Sequence, residues 1–365
     1  MGLPVTRMST VRSQRRGFPV TPRPERGEGS ASSAPLAALG SRRHTEPPPD
    51  VTVCIANWNC RELLRACLAS LHKQPQGVQV ETVVVDNGST DGAADMVALD
   101  FPEVVLIRNA DNVGFAAANN QAADLARGRY LFFLNNDTAV PANTLRRLVT
   151  FAEAHPEVGM IGPRLRDARG ALQISYRRRP TVGALLHRTM LLRWTGLLRD
   201  TYRRYRRGDF DPKAQRCVDV LMGAAVMLPQ EVFFECGRWD EAFAFGGEDI
   251  DLSARVGRRH AVVYLPQVEI THHGRVSSRL NVTFAEPNVQ VGYVRFLRKA
   301  GAGRLALIAY KLVVTCDAPL HCLAKWVQYT WRRLAGRAAK AEKSRLAMYG
   351  LSAFLTRGLF RFWRA

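Results

Sequence analysis

LFFLNNDT, residues 131 to 138, is an apolar run that stops abruptly at Asn135, Asn136 and Asp137. An uninterrupted run of this kind reads as a strand buried on both faces, as in a parallel sheet. Such a strand delivers the side chains at its carboxyl end into the crevice where open α/β sheets bind ligands. Upstream, VTVCIAN at 51 to 57 is a β-branched run bounded by a polar turn, and a helical pattern follows through Leu63, Leu64, Cys67, Leu68 and Leu71. A second strand, VETVVVDNGS, ends at Asp86; a third is expected around Val104 to Ile107, then a helix over Phe115 to Ala126. Strands alternating with helices at this spacing predict an α/β fold with a doubly wound, largely parallel sheet.

Downstream the pattern weakens between Gly162 and Cys217, a charged stretch holding Arg177-Arg178-Arg179 and TYRRYRR. A long irregular insertion in a compact domain is usually functional or mobile. VDVLMGAAVMLP at 218 to 229 predicts one further strand, with a helix near Val232 to Cys236, another over Ile250 to Arg258, and the strand AVVYLP at 261 to 266. The expected organisation is a disordered basic tail over 1 to 50, a catalytic domain over 51 to 292, and basic amphipathic helices over 293 to 365.

Three acidic signals fall in order along this frame. Asp86, in VVVDNGSTDG, stands at a strand end where a carboxylate can accept a hydrogen bond from a base edge or a ribose hydroxyl. Asp137 can reach a divalent cation, because the strand before it fixes its position; the competing role is capping a helix expected to begin near Pro141. In FGGEDIDL, Asp249 is a candidate general base for an acceptor hydroxyl, and one such base suffices for inversion by single displacement. Glu248 would orient the acceptor or cap the turn, and Asp251 reads as an N-terminal helix carboxylate. Trp239 could pack on an acceptor sugar or close the core, and Arg164 with Arg177 to Arg179 could meet an acceptor diphosphate.

The ordered set VCIANWN, VVVDNGSTDG, NVGFAAANN, LFFLNNDT, MGAAVMLP, WDEAFAFGGEDIDL and the pair His272-His273 resembles family 2 glycosyltransferases, nearest the rhamnosyltransferase-like branch that builds bacterial surface glycans. The resemblance spans roughly residues 51 to 280. It implies a GT-A fold and inverting transfer from a nucleoside-diphosphate sugar, with rhamnose or another deoxyhexose as the donor sugar and a glycan or polyprenyl-diphosphate-linked acceptor. By position, Asn57, Trp58 and Asp86 would hold the nucleoside, with Asn112 and Gly114 near the donor. Asp137 takes the place of the last carboxylate of the family's Asp-x-Asp element; Asn135 replaces the first, and Asn136 lies between them. His272 would complete a Mn²⁺ or Mg²⁺ site, its imidazole tilting the choice toward manganese, and His273 would be a packed neighbour.

Lys and Arg number 52 against 32 Asp and Glu, a formal charge of +20 that calls for an anionic partner. Arginine concentrates beside Leu, Trp, Tyr and Phe, a mixture suited to an anionic membrane surface better than to nucleic acid. Leu305 to Leu323 is the nearest approach to a spanning stretch, but Lys311, Asp317 and Pro319 interrupt it, so no crossing is expected. Seven cysteines without a C-x-x-C pair suggest reduced thiols and a cytosol-facing enzyme. A sugar-nucleotide-forming nucleotidyltransferase is the first rival, although ANWNCREL lacks the Gly-rich basic loop it would need. A basic scaffold or nucleic-acid-binding protein is the second.

Overall fold

The computed structural model describes residues 47–207, 211–274 and 281–365. The expected tail over 1 to 50 therefore lies almost wholly outside the described residues. The chain opens with β1 (Val51–Asn57), α1 (Arg61–His72), β2 (Val80–Asn87), α2 (Ala93–Asp100), β3 (Val105–Asn109), α3 (Phe115–Leu125) and β4 (Tyr130–Leu134). It continues through β5 (Thr138–Ala139), α4 (Thr144–Ala154), β6 (Val158–Arg166), β7 (Tyr176–Arg177), α5 (Val182–Leu186), α6 (Met190–Thr195) and α7 (Arg199–Arg207). Next come β8 (Arg216–Cys217), β9 (Val220–Leu221), β10 (Ala225–Pro229), α8 (Gln230–Glu235), α9 (Glu248–Val256) and β11 (Ala261–His272). The chain closes with α10 (Val282–Lys299), α11 (Arg304–Leu334), α12 (Ala338–Ala353), a π-helical turn and α13 (Leu359–Arg364).

Among the described residues the main sheet runs β3-β2-β1-β4-β10-β6-β11-β5, with β8 on β11. The β1, β2, β3 and β4 pairings are parallel, β6 with β11 also, while β10 runs antiparallel between β4 and β6. The central strands are apolar throughout because both faces are covered. Val51, Val53 and Ile55 enter one core with Leu64, Leu68, Val97 and Leu148, while Cys54 enters the other with Ala122, Phe133, Phe233 and Leu252. Register then sets the crevice, since Asn57 on β1 pairs with Asp86 on β2. The α/β, mostly parallel expectation holds.

Two stretches differ from the reading. VDVLMGAAVMLP is not one strand: β9 pairs with β7 in a separate ribbon, and β10 joins the main sheet. The break falls at Met222 to Ala224, where Met222 N–H bonds the Ser175 carbonyl and the Ala224 carbonyl accepts from Asn135 N–H. The weakly patterned 162–217 stretch contains three short helices, whose Ala184, Leu185 and Tyr205 pack with Val294, Leu297, Tyr310 and Phe354 of the C-terminal helices. Their short apolar sets were too brief to register as periodicity.

The C-terminal helices are not appended at a distance. Helix α10 runs through residue 292, and a Cβ built on Gly292 would collide with the Gly246 carbonyl of the acidic turn. Helix α11 continues through Pro319 and, over 31 residues, is long and apolar enough by length and composition to cross a membrane. The interruptions that argued against this turn to protein partners: Asp317 accepts from Leu191 N–H at 3.0 Å and Lys311 donates to the Trp363 carbonyl at 2.9 Å.

Candidate active site

The carboxyl ends of β1, β2 and β4 bring three predicted residues into one chain of hydrogen bonds. Asn136 donates to Asn57 Oδ1 at 2.7 Å, and Asn57 donates to Asp86 Oδ1 at 3.1 Å. Ser89 N–H donates to Asp86 Oδ2, which leaves a fixed polar ledge at the strand ends. Trp58 is half-buried beside it, edge-on to Phe284 of α10 at 5.5 Å. Asn112 accepts from Asn87 Nδ2 at 2.8 Å and from Gly114 N–H. Gly114 sits at φ 94° with the Ala244 carbonyl at 2.9 Å from where a Cβ would lie, so a side chain there would strike backbone. Asn87, which also accepts from Val113 N–H and from Asn109, organises this corner and carried no signal beyond being one polar residue in a turn.

Asp137 and His272 meet. The short strand β5 pairs antiparallel with β11, so that Thr138 lies opposite His272 and His273 N–H bonds the Asp137 carbonyl at 2.8 Å. Asp137 Oδ1 then stands 3.3 Å from His272 Nε2, with Asp137 buried and His272 partly so. Asn135 Nδ2 is 3.4 Å from the same ring nitrogen. Asp137 does not cap the following helix, which starts at Thr144 behind Asn143. His273, expected to be packed, is exposed and contributes its backbone instead.

An oxygen and a nitrogen ligand in adjacent positions around a cation, each about 2.1 Å from it, lie about 3 Å apart. The 3.3 Å separation therefore fits two adjacent ligands to one divalent ion. Among the described residues no group of three or more His, Cys, Asp or Glu side chains could hold a metal. Two protein ligands match the habit of Mg²⁺-type sites completed by substrate phosphates and water.

Asp249, at the start of α9, carries a partner that the sequence did not announce. Arg177 Nη2 reaches both carboxylate oxygens, at 3.3 and 3.1 Å, in a pair that is nearly fully buried. Burial opposes the charge on Arg177, but Asp249 and the neighbouring tyrosines override it and hold the guanidinium well above its ordinary pKa. Glu248 is different: burial, then the Asp249 charge, push its carboxyl up to about 8, and its Oε2 has no hydrogen-bond partner among the described residues. Arg164 pairs with Glu269, while Arg178 and Arg179 are exposed. Trp239 closes the core against Phe115 and Phe133, 2 % exposed, so its ring offers no face to an acceptor in this structure.

The two clusters are close in the chain's own geometry. Asn135 N–H bonds the Ala224 carbonyl, and a Cβ on adjacent Gly223 would lie 3.2 Å from Asp249 Cβ. Gln173 touches His272 and Arg177 touches Asp249, and four residues of chain reach at most about 14 Å.

The family model described as "Glycosyl transferase family 2" matches residues 52–212. Residues 52–212 thus match a glycosyl transferase family 2 domain. It is similar to the N-acetylglucosaminyl-diphospho-decaprenol L-rhamnosyltransferase of Mycobacterium tuberculosis, 27% identical over 242 residues, covering 63% of this chain and 76% of that protein. It is also similar to the O-antigen biosynthesis protein RfbC of Myxococcus xanthus, 28% identical over 240 residues, 63% of this chain and 18% of that one. Among solved structures, GalNAc-T7 with UDP, GalNAc and Mn²⁺ superposes with a TM-score of 0.50 at 18% identity, covering 69% of this chain. The match spans 48% of that protein's length, and the likeness is one of fold, GT-A. The chain carries a glycosyltransferase domain on a GT-A frame.

Proposed function

We propose that the protein transfers a sugar, rhamnose or another deoxyhexose, from a nucleoside diphosphate to a glycan or polyprenyl-diphosphate-linked acceptor in bacterial surface polysaccharide synthesis. The observation that carries this reading is the Asp137–His272 pair at the end of β4, beside the Asn57–Asp86–Asn136 ledge. The mycobacterial relative, whose name specifies a diphospho-decaprenol acceptor, supports the acceptor class.

In this reading Asn57 and Asp86 hold the nucleoside, Trp58 borders it, and Asp137 with His272 binds Mn²⁺ or Mg²⁺. A bound divalent cation neutralises the charge that builds on the departing diphosphate. Asp249 takes the proton of the acceptor hydroxyl as its oxygen bonds to the anomeric carbon and the bond to the diphosphate oxygen breaks. One displacement inverts that carbon. Arg177 holds the Asp249 carboxylate in place and offsets its charge. Glu248 is a second candidate base, favoured by its unpartnered Oε2 and a pKa of about 8, near the value at which proton abstraction is effective at neutral pH.

The acceptor's surroundings follow from α11. Leu305, Ile308, Leu312, Leu320, Leu323, Val327 and Leu334 are all exposed along it, at helical spacing. Leu191, Trp194 and Leu197, around α6, are exposed as well, and α6 is tied to α11 through Asp317. The opposite face of α11 is packed through Leu307, Tyr310, Val314 and Ala318. A helix packed by protein along one side and apolar along the other is suited to lie flat in an interface. We assign this face to an anionic, cytosol-facing membrane surface, with residues 293–365 as its main support.

The test is thermal stabilisation by a panel of nucleoside diphosphates, with and without Mn²⁺, on the native protein and D137A. A Mn²⁺-dependent rise with one nucleotide, lost in D137A, is expected; no rise with any nucleotide would remove the donor-site reading.

A further inference from the structure

We propose that Gln173 is a positioning residue that fixes His272 in the tautomer able to bind a metal. The proposal rests on the Asp137–His272 metal reading. Gln173 grips His272 twice: its Nε2 donates to the His272 carbonyl at 2.6 Å, and its Oε1 lies 2.8 Å from His272 Nδ1. The first contact decides the second. An amide whose nitrogen is committed to a carbonyl presents only its oxygen to the ring, so Nδ1 must carry the hydrogen. In the neutral imidazole Nε2 is then a bare lone pair, and it is this atom that faces Asp137 Oδ1 at 3.3 Å. Asn135 Nδ2, 3.4 Å away, is a donor compatible with that lone pair.

Two acceptors this close repel unless something positive lies between them. A proton or a divalent cation would serve, and either needs the lone pair that Gln173 leaves on Nε2. The opposite tautomer, with hydrogen on Nε2, would close the site to metal. Gln173 is itself held: its backbone N–H bonds the Leu165 carbonyl on β6 at 2.9 Å, and Leu172 bridges to Arg166. The ring orientation is thus referred to the sheet through one side chain, the arrangement in which outer partners tune a metal-binding histidine.

The alternative is that Gln173 merely ties its segment to the end of β11. Two substitutions separate these roles. Q173M removes both contacts, whereas Q173E keeps an acceptor for Nδ1–H and gives up the donor to the carbonyl. Mn²⁺ is titrated against each protein, alone and with each nucleoside diphosphate of the panel, and free Mn²⁺ is read by electron paramagnetic resonance. The expected result is a 10- to 100-fold loss of Mn²⁺ affinity in Q173M, about the range for outer partners of metal ligands, with Q173E staying within about threefold of native. Native protein that binds Mn²⁺ alongside an unchanged Q173M overturns the inference alone, and so does a Q173E as weak as Q173M. Native protein that binds no Mn²⁺ under any condition removes the metal reading itself. A readout that needs no variant to fold is the imidazole ¹⁵N spectrum of metal-free native protein at about pH 8.5, above the ordinary histidine range. The resonances missing in H272Q must report hydrogen on Nδ1 and a bare Nε2; hydrogen on Nε2 would overturn the proposal.

Discussion

At the Gln173 end of the segment Gln173–Arg177, a carboxylate and an imidazole face each other across 3.3 Å, with no cation of the described residues between them. At the Arg177 end, a buried carboxylate already holds a guanidinium on both its oxygens. The first cluster is completed from outside and the second from within. In the proposed mechanism, the difference separates the side of the site that accepts a charged donor from the side that holds a base steady before any acceptor arrives.

The contrast can be broken by substitution. The largest effect is expected from D137A, which removes the carboxylate of the externally completed cluster: kcat/KM should fall by about 10³-fold or more, the equivalent of several kcal/mol of leaving-group stabilisation. A loss below tenfold, measured with saturating Mn²⁺, would deny the pair a role in metal binding. R177M strikes the self-contained cluster and leaves Asp249 as an uncompensated buried charge. Unfolding free energy from denaturant titration should drop by about 3–5 kcal/mol, and a change under 1 kcal/mol would mean the pair is far better solvated than its burial indicates.

Glu248 sharpens the comparison through pH. Its folded-state pKa of about 8 exceeds the ordinary 4.5, so between those values the native state binds more protons than the unfolded chain. Stability from this group is present below about pH 4.5 and is lost as pH rises toward 8. E248Q should flatten that slope, gaining on the native protein at pH 8 to 9 and not at pH 4.5; parallel curves would show that Glu248 ionises normally. If Glu248 rather than Asp249 is the base, the alkaline-rising limb of kcat near pH 8 disappears in E248Q along with activity. The smallest effect belongs to the surface proposed to face lipid. W194S should weaken sedimentation with anionic vesicles by about tenfold, in line with the roughly 1.5–3 kcal/mol of a buried large side chain. Equal partitioning would move the membrane contact elsewhere.

Much of the first cluster was legible because strand ends announce themselves. Asn57, Asp86 and Asp137 each follow a buried apolar run, and the polar residue that ends such a run has few places to go except the crevice. His272 was named only through the resemblance, because the strand was expected to stop at residue 266 whereas β11 runs on to His272. The second cluster was hidden by the insertion. Arg177 stood in a row of three arginines, and nothing in the row tells which one turns inward; pairing of β7 with β9 decides it. Gln173 is a lone polar residue whose role exists only through bonds to a residue 99 positions away. Trp239 had two equal readings, and neighbouring aromatic rings settled it in favour of the core. In α11 the sequence could not show that Lys311 and Asp317, which interrupt its apolar run, turn to protein partners.

The collision that any side chain on Gly292 would have with the Gly246 carbonyl bears on how such enzymes diversify. The helix and the acidic turn were shaped against each other, so neither can be exchanged between relatives alone. Chimaeras that swap C-terminal helices to redirect acceptor choice should therefore carry residues 240 to 250 with them, and those spliced between the two should lose turnover while keeping nucleotide binding.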